Sequence, residues 1–360
     1  MPDFFWTPHS GYHWDRSSRR FFEGWYFRLT LPDVQETFAF MYSIDDPDGN
    51  SPLSGGAAQI LGPGEQYLYT PLPNVQQFWA WPHRLGLGHW DQPIAGPAGY
   101  LSFNQFHDRV KRGYQATATD HVGCVEDQET GAIARWQYTI EPIYGWGPTQ
   151  GTQLATASWL SYLPILEPGW QVLMAHGLAT GWAEWQNQRY EFQQAPIYAE
   201  KNWGGAFPER WWWIQANAFA EVPDLTLTAV GGRRQVLGRT ETVGLIGLHY
   251  QGKFILLNTL RDQMTWTVAP WGQWQVTASN HRYRITLEGK AEQPPANVRV
   301  PTLTGLQFNC WDTTHGQLEV TVWQRSPIDT ETLIVQAHSD LAGLEVGGQG
   351  WDQGWQFVSR

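Results

Sequence analysis

The sequence predicts an all-β protein of two tandem antiparallel β-barrels or sandwiches, with very little helix. Short runs rich in aromatic and β-branched residues alternate with Gly, Pro, Asn and Asp turns at about 8–12-residue spacing, which is typical of sandwiches and barrels. An aromatic strand pattern also occurs twice along the 360 residues, which indicates two similar units. No stretch has the apolar spacing of an amphipathic helix three turns long.

The strand and turn predictions follow the chain in order. Turns are predicted at residues 46–50, 231–232, 269–272 and 288–290, where Gly, Pro, Asn or Asp cluster. Strands are predicted at residues 38–44, 134–140, 265–268, 274–278, 283–288 and 318–323.

The repeated pattern is a Glu followed, two residues later, by a run of aromatic residues. It reads EGWYFRL at residues 23–29 and ERWWWIQ at residues 209–215, and a Pro-Asp loop and an apolar strand follow each copy. We interpret the pair as a duplicated β unit and predict an N-terminal domain at residues 1–200 and a C-terminal domain at residues 201–360.

Composition excludes several classes of protein. The chain has as many Trp residues (23) as Lys and Arg together (23), and only 16% of its residues are charged, against about 25% in ordinary domains. A net charge of −11 argues against nucleic-acid binding and against a polybasic attachment to lipid. Two cysteines cannot form a disulfide framework or a Cys-rich zinc site, so we expect no metal site.

The motifs of common cofactor and nucleophile enzymes are missing from the sequence. We find no P-loop, no Rossmann glycine pattern between a strand and a helix, and no Gly-x-Ser-x-Gly elbow. What remains is a Trp-rich β scaffold with few ionisable groups. Such a scaffold suits a binder of a large apolar ligand, or an enzyme that forms a carbocation without a cofactor, since Trp faces attract cations.

Several blocks of the sequence resemble the tocopherol cyclases, in the same order along the chain. The most specific is the run from Glu200 to Pro208, and the resemblance extends from about His9 to the glycine-rich turn near the C-terminus. The blocks are residues 9–15 (HSGYHWD), 19–28 (RRFFEGWYFR), 142–147 (PIYGWG), 167–171 (EPGWQ), 177–182 (GLATGW), 198–208 (YAEKNWGGAFP) and 269–274 (APWGQW).

The resemblance implies a function and a fold. Tocopherol cyclases close the chromanol ring of vitamin E on phytyl-benzoquinols, and no cofactor takes part. The family is distantly similar to tandem lipocalin-like proteins that include carotenoid hydratases, which implies two lipocalin-like barrels. A plastid transit extension is not visible in this sequence, so we expect a cyanobacterial type of member.

The implied mechanism needs a carboxylic acid that protonates the prenyl double bond, a partner for the phenol, and a site closed to water. A carotenoid or isoprenoid hydratase would use the same groups and admit one water molecule. A noncatalytic lipocalin-type carrier is the third hypothesis. The sequence does not choose which carboxyl is the donor, nor the oligomeric state.

The candidates for catalysis are carboxyls and their neighbours in aromatic surroundings. Glu200 is a candidate proton donor, with Lys201 or Asn202 in contact with the phenol oxygens. The structural alternative is a buried pair of Glu200 with Lys201, and an adjacent Lys201 ammonium would lower the pKa of the Glu200 carboxyl. Glu23 shares a strand face with Trp25 and Phe27, and a pairing with Arg19, Arg20 or Arg28 is the structural alternative. Asp312 is a binding candidate whose alternative is a turn. The full catalytic set is Glu200, Glu23, Lys201, Asn202 and Asp45, and the substrate-binding set is Trp25, Tyr26, Trp203, Trp212, Tyr198 and Asp312.

The remaining candidates are Asp45 and three consecutive tryptophans. Asp45 precedes Asp46 and Pro47, so a turn-capping role competes with a place at a barrel mouth. Trp211, Trp212 and Trp213 must alternate between faces, and we expect Trp212 to face the pocket.

The expected location follows from the absence of targeting signals. No run of 18 apolar residues and no signal peptide is visible, which predicts a cytoplasmic protein or one peripherally attached to a thylakoid or plasma membrane. Because the substrate is lipid-soluble, we expect weak membrane contact through exposed aromatic residues.

Overall fold

The computed structural model describes residues 7–17, 19–94, 98–150, 152–162, 168–236, 239–326 and 330–359. Glu167, the first residue of one block that carries the family resemblance, lies outside these ranges. The chain divides into two compact units, one of Met1–Ala206 with Pro301–Leu306 and one of Phe207–Val300 with Gln307–Arg360. This division falls slightly after the predicted limit at residue 200.

Unit 1 is built on one antiparallel sheet, whose order is β4-β3-β2-β1-β11-β10-β9-β8-β7-β6-β5. Over the described residues its strands are β1 (Phe22–Leu31), β2 (Glu36–Asp45), β3 (Gly55–Gly62), β4 (Gln66–Leu72), β5 (Phe78–Ala80), β6 (Gly86–Trp90), β7 (Gly113–Thr117), β8 (Asp120–Glu126), β9 (Ile133–Tyr144), β10 (Gly169–Trp185) and β11 (Gln188–Gly204). The helices are α1 (Phe103–Arg109) and 3-10 turns at Pro32–Val34, Pro63–Glu65, Val75–Gln77 and Ser158–Tyr162.

This sheet folds over its own apolar face. Tyr42 of β2 stacks on Tyr114 of β7 at 3.8 Å between ring centroids, although the two strands are far apart in the sheet order. The Thr70 hydroxyl of β4 donates to the Glu126 carbonyl of β8 at 2.8 Å. The enclosed face carries Phe27, Tyr42, Ile60 and other buried apolar residues that form the core of unit 1.

Unit 2 has a second antiparallel sheet of order β15-β14-β13-β12-β21-β20-β18-β17-β16-β22, with β19 paired to β20. Its described strands are β12 (Arg210–Ala216), β13 (Thr226–Val236), β14 (Arg239–Tyr250), β15 (Lys253–Asn258), β16 (Gln263–Val268), β17 (Gln273–Ser279), β18 (Tyr283–Lys290), β19 (Ala296–Thr302), β20 (Gly305–Arg325), β21 (Glu331–Gly348) and β22 (Trp355–Val358). Its core includes Trp212, Ile246 and Trp274, all of them inaccessible to solvent.

The two copies of the repeated sequence pattern occupy equivalent strands. β1 lies between the second strand of its sheet and the long strand β11, and β12 lies between β13 and the long strand β21. The all-β prediction is therefore confirmed, and the shared connection pattern supports the proposed duplication.

Two of the predicted turns are wrong. β18 continues through Lys290, so residues 288–290 belong to a strand. Gly231 and Gly232 lie inside β13, where a Cβ at Gly231 would collide with the Trp212 ring. Glycine at this position therefore leaves room for an indole ring to pack against the strand, which is a common reason for glycine within strands.

Among the described residues, no helix is both long and apolar enough to cross a bilayer.

The stability of unit 1 is expected to depend on pH because of a buried histidine. His89 in β6 is inaccessible to solvent, and its Nε2–H donates to the Asn74 carbonyl at 2.9 Å. Burial lowers the pKa of His89 from 6.5 to about 4, so the folded protein keeps the imidazole neutral where the unfolded chain protonates it. This contribution is complete above pH 6.5 and declines as the pH falls towards 4, by up to about 3 kcal/mol.

We expect His89→Gln to lose less stability than the wild type over this acidic interval, as measured by urea unfolding at several pH values. Asp45 acts with the opposite sign, because burial raises its pKa to about 6. The titration of Asp45 changes the stability of the wild type and of His89→Gln by the same amount, so it cancels when their two stability curves are subtracted. Parallel stability curves for the two proteins between pH 6.5 and 4 would contradict the assignment.

Candidate active site

A buried ion pair joins β1 to β11 on the core-facing side of unit 1. In the strand register Glu23 is opposite Trp203 and Trp25 is opposite Lys201, so all four side chains share one face. The Lys201 ammonium donates to Glu23 Oε1, and both side chains are inaccessible to solvent. The ammonium also lies 5.7 Å from the Trp25 ring centroid and 5.3 Å from that of Trp203.

The segment before β1 is fastened to this pair. Lys201 Nζ donates to the Gly11 carbonyl at 2.6 Å, and the His13 amide donates to Glu23 Oε2 at 2.8 Å. The His13 ring stacks on Trp203 with centroids 3.9 Å apart and planes 4° from parallel. His9 Nδ1 is 3.2 Å from His13 Nε2, which extends the network by one imidazole.

The charges of the network follow from its surroundings. Burial opposes ionisation of Glu23, but the Lys201 ammonium and the His13 contacts outweigh it and leave the pKa of Glu23 below its usual value. Burial and the same ammonium lower the pKa of His13, and they bring that of His9 to about 4 with help from His13. The centre is thus a carboxylate and an ammonium with two neutral imidazoles.

This arrangement assigns different parts to the predicted residues. Glu23 is ionised and pairs with Lys201 and His13, not with Arg19, Arg20 or Arg28 as the structural alternative held. A carboxylate held in this state is poorly suited to give a proton to an alkene. Trp25 and Trp203 lie beside the ion pair. On this face the pair therefore holds the segment before β1 in place through its bonds to Gly11 and His13.

Glu200 and Lys201 do not form a pair. They are consecutive in β11 and therefore point to opposite faces, and the register places Glu200 opposite Tyr26. The Tyr198 hydroxyl donates to Glu200 Oε2 at 2.6 Å, and both residues are buried. Asn202 shares this second face, opposite Gly24, so the structure brings together Glu200, Tyr198, Tyr26 and Asn202 and separates them from Lys201.

Asp45 is engaged at the end of β2. Arg20 Nη2 donates to Asp45 Oδ1 at 2.5 Å and to the Thr302 carbonyl at 3.1 Å. Asp46 accepts from the Phe21 amide at 2.8 Å, which is the turn-fastening role that the sequence suggested for this dipeptide. Burial raises the pKa of Asp45 to about 6 against the opposing effect of Arg20.

The three consecutive tryptophans of β12 alternate between faces as predicted, and the pocket role of Trp212 stays a prediction. Trp212 is fully buried in the apolar core of unit 2. Trp211 and Trp213 occupy the other face, where Trp213 is opposite Glu345 of β21 and Glu345 is opposite Asp312 of β20. Asp312 lies within β20, so its predicted turn alternative is wrong, whereas its binding role stays a prediction.

Glu345 is a carboxyl that sequence reasoning missed. The Trp211 indole N–H donates to Glu345 Oε1, and Cys310 hydrogen-bonds the same carboxyl. Burial raises the pKa of Glu345 above its usual value, although these two hydrogen bonds act in the opposite direction. The sequence does carry a signal for this residue, because Glu345 is the one charged residue in the apolar run at residues 341–347.

A hydrogen-bonded chain inside unit 1 was missed as well. Tyr42 OH and His121 Nε2 are 2.5 Å apart, and His121 Nδ1 bonds to the Tyr138 hydroxyl. Burial lowers the pKa of His121 and raises those of both tyrosines, so all three groups are neutral. Each ring nitrogen of the neutral imidazole thus has a phenol partner, one of which accepts while the other donates.

The comparisons with known proteins agree with the sequence blocks. The family profile described as "Tocopherol cyclase-like" matches residues 19–348. "Probable tocopherol cyclase, chloroplastic" of Oryza sativa subsp. japonica is 40% identical over 376 aligned residues, which cover 97% of this chain and 80% of that protein. "Tocopherol cyclase, chloroplastic" of Zea mays is 39% identical and covers 97% of this chain and 79% of its own length.

Among solved structures, kievitone hydratase from Nectria haematococca matches 98% of this chain and 94% of its own, with 9% sequence identity and a TM-score of 0.47. The family assignment depends on the profile and the two plant relatives, each of which extends over nearly the whole chain. The chain therefore belongs to the tocopherol cyclase-like family.

Proposed function

We propose that the chain is a tocopherol cyclase, which closes the chromanol ring of phytyl-benzoquinols by acid catalysis. The observation that carries this proposal is 40% identity to a curated tocopherol cyclase over 97% of the chain. The reaction is an isomerisation, so we assign no cofactor. The predicted cyanobacterial type remains a proposal beside relatives from plants.

The reaction requires a proton donor, groups that stabilise the cation, and a site that is closed to water. A carboxylic acid transfers a proton to the alkene, the tertiary cation forms, and the phenol oxygen attacks it as the phenol loses its proton. The chain supplies carboxyls in buried, Trp-rich surroundings. Lys201, held between Trp25 and Trp203, supports the view that indole rings here lie beside positive charge.

The test is a turnover assay with the full chain and a phytyl-benzoquinol, without added cofactor or metal, in water labelled with oxygen-18. We expect a chromanol of one enantiomer that carries no label, because its ring oxygen comes from the phenol. A labelled tertiary alcohol would indicate a hydratase, and unchanged quinol in a tight complex would indicate a carrier. Heat-denatured protein measures the background of nonenzymatic, racemic cyclisation.

We further propose that the chain is cytoplasmic, or in weak peripheral contact with a thylakoid or plasma membrane. Support comes from exposed large apolar side chains, which include Leu303 at 73% and Tyr162 at 63% exposure. Flotation with neutral vesicles should persist at high salt, because apolar contacts are not screened. Release by salt would indicate an electrostatic attachment and overturn this proposal.

A further inference from the structure

The strand register of unit 2 places two carboxyls beside two indole rings. Trp213 of β12, Glu345 of β21 and Asp312 of β20 are directly opposite one another, and the next row holds Trp211, Gly347 and Cys310. Opposed residues on one face have Cβ atoms about 4.5–5.5 Å apart. Gly347 leaves space for the Trp211 ring, since a Cβ there would overlap it.

This face is closed, with Glu345 as its accessible point. Trp211, Trp213, Asp312 and Cys310 are each at most 5% exposed, whereas Glu345 is partly exposed. Glu345 is therefore the residue at which this face reaches solvent, while the aromatic rings around it are withdrawn from bulk solvent.

Burial favours the acid form of Glu345 over its carboxylate, although the hydrogen bonds from Trp211 and Cys310 act in the opposite direction. No Lys, Arg or His side chain among the described residues lies within ion-pair distance of it, and a second carboxyl, Asp312, is opposite. Burial without a neighbouring cation therefore leaves the pKa of Glu345 above its usual value. The contrast is with Glu23, which is paired with Lys201, and with Asp45, which is bound by Arg20.

We propose that Glu345 is the carboxylic acid that protonates the prenyl double bond, an assignment that rests on the proposed cyclase function. Oε1 accepts the Trp211 N–H, which leaves Oε2 to carry the proton. The Oε2–H bond breaks as the alkene electron pair forms a C–H bond, and a tertiary cation results. A phenol lone pair forms the C–O bond, the phenol O–H bond breaks, and its proton returns to the carboxylate.

The surroundings of Glu345 stabilise both charges of this intermediate. The Trp211 N–H and the Cys310 thiol remain hydrogen-bonded to the carboxylate when it has lost its proton. Trp211 and Trp213 lie on the same strand face as the carboxyl, and indole rings attract a cation that forms beside them. Both hydrogen bonds are already in place before the step, which is the condition for effective electrostatic catalysis.

The test compares Glu345→Gln with the wild type in the same cyclisation assay. Gln keeps the shape and can still accept the Trp211 N–H, so we expect a folded variant that binds quinol with an unchanged KM. Its kcat should fall by about 10²–10⁴-fold, which is the usual contribution of a general acid. Glu319→Gln, at an exposed carboxyl of β20, is the matched control and should retain turnover.

A pH profile separates proton donation from a structural role. In the wild type, kcat should fall as the pH rises through the pKa of Glu345. Trp211→Phe removes a hydrogen bond that lowers this pKa, so the falling limb should move to higher pH. Full turnover by folded Glu345→Gln, or an unmoved limb in Trp211→Phe, overturns the assignment. Absence of chromanol from the wild type overturns the cyclase function itself.

Discussion

Lys201→Met is expected to lower the free energy of unfolding by about 3–5 kcal/mol at pH 7, the usual cost of removing one partner of a buried ion pair. Glu23 would remain inaccessible to solvent with no cation beside it. Gly11 would lose its Nζ donor as well, which loosens the segment before β1. Urea unfolding followed by tryptophan fluorescence measures the change.

The destabilisation should be specific to the uncompensated carboxylate. Glu23→Gln combined with Lys201→Met is expected to be less destabilised than Lys201→Met alone, since no charge is then left in the core. The deficit of the single variant should also shrink as the pH falls, because burial without the ammonium raises the pKa of Glu23 and the carboxyl then takes up a proton.

An exposed pair provides the control for this effect. Arg189 and Glu191 are 3.1 Å apart, with side chains 47% and 74% exposed. Arg189→Met should therefore cost less than about 1 kcal/mol. A loss at Lys201 no larger than this control would show that the buried pair contributes little.

His121→Leu is expected to lower the free energy of unfolding by about 2–6 kcal/mol. The substitution leaves the hydroxyls of Tyr42 and Tyr138 buried without their imidazole partner, and each unpaired group costs about 1–3 kcal/mol. Chemical denaturation at pH 7 gives the measurement, because at that pH the imidazole is neutral in both the folded and the unfolded chain.

Two comparisons identify the hydroxyls as the cause. Adding Tyr42→Phe and Tyr138→Phe to His121→Leu should restore stability, since the unpaired groups are then absent. The Tyr114 hydroxyl is buried without a hydrogen-bond partner among the described residues. Tyr114→Phe should therefore leave stability unchanged or raise it. Equal losses for Tyr114→Phe and His121→Leu would contradict this account.

The sequence was sufficient for the fold class, because that class depends on local patterns. Alternation along a strand correctly placed Glu23, Trp25 and Phe27 on one face and split Trp211 and Trp213 from Trp212. The repeated Glu-aromatic pattern correctly marked two strands with equivalent positions in two sheets. The family followed from sequence blocks long enough to be specific.

The charge partners could not be derived in this way. Glu200 and Lys201 are neighbours in sequence, yet a strand sends consecutive side chains to opposite faces, and Lys201 pairs with Glu23 on the adjacent strand. Similarly, the glycines at 231–232 resemble a turn in sequence, but their place in β13 is fixed by the Trp212 ring against them.

The sequence by itself determined a Trp-rich all-β chain of the tocopherol cyclase-like family and a short set of candidate carboxyls. Only the tertiary structure decided their protonation states. It paired Glu23 with an ammonium and bound Asp45 to Arg20. It also added Glu345, which the sequence candidates did not include, opposite Asp312 and beside Trp211 and Trp213. The physical reason is that the pKa of a carboxyl depends on burial and on neighbours across the sheet, and strand register brings those neighbours together from distant parts of the chain.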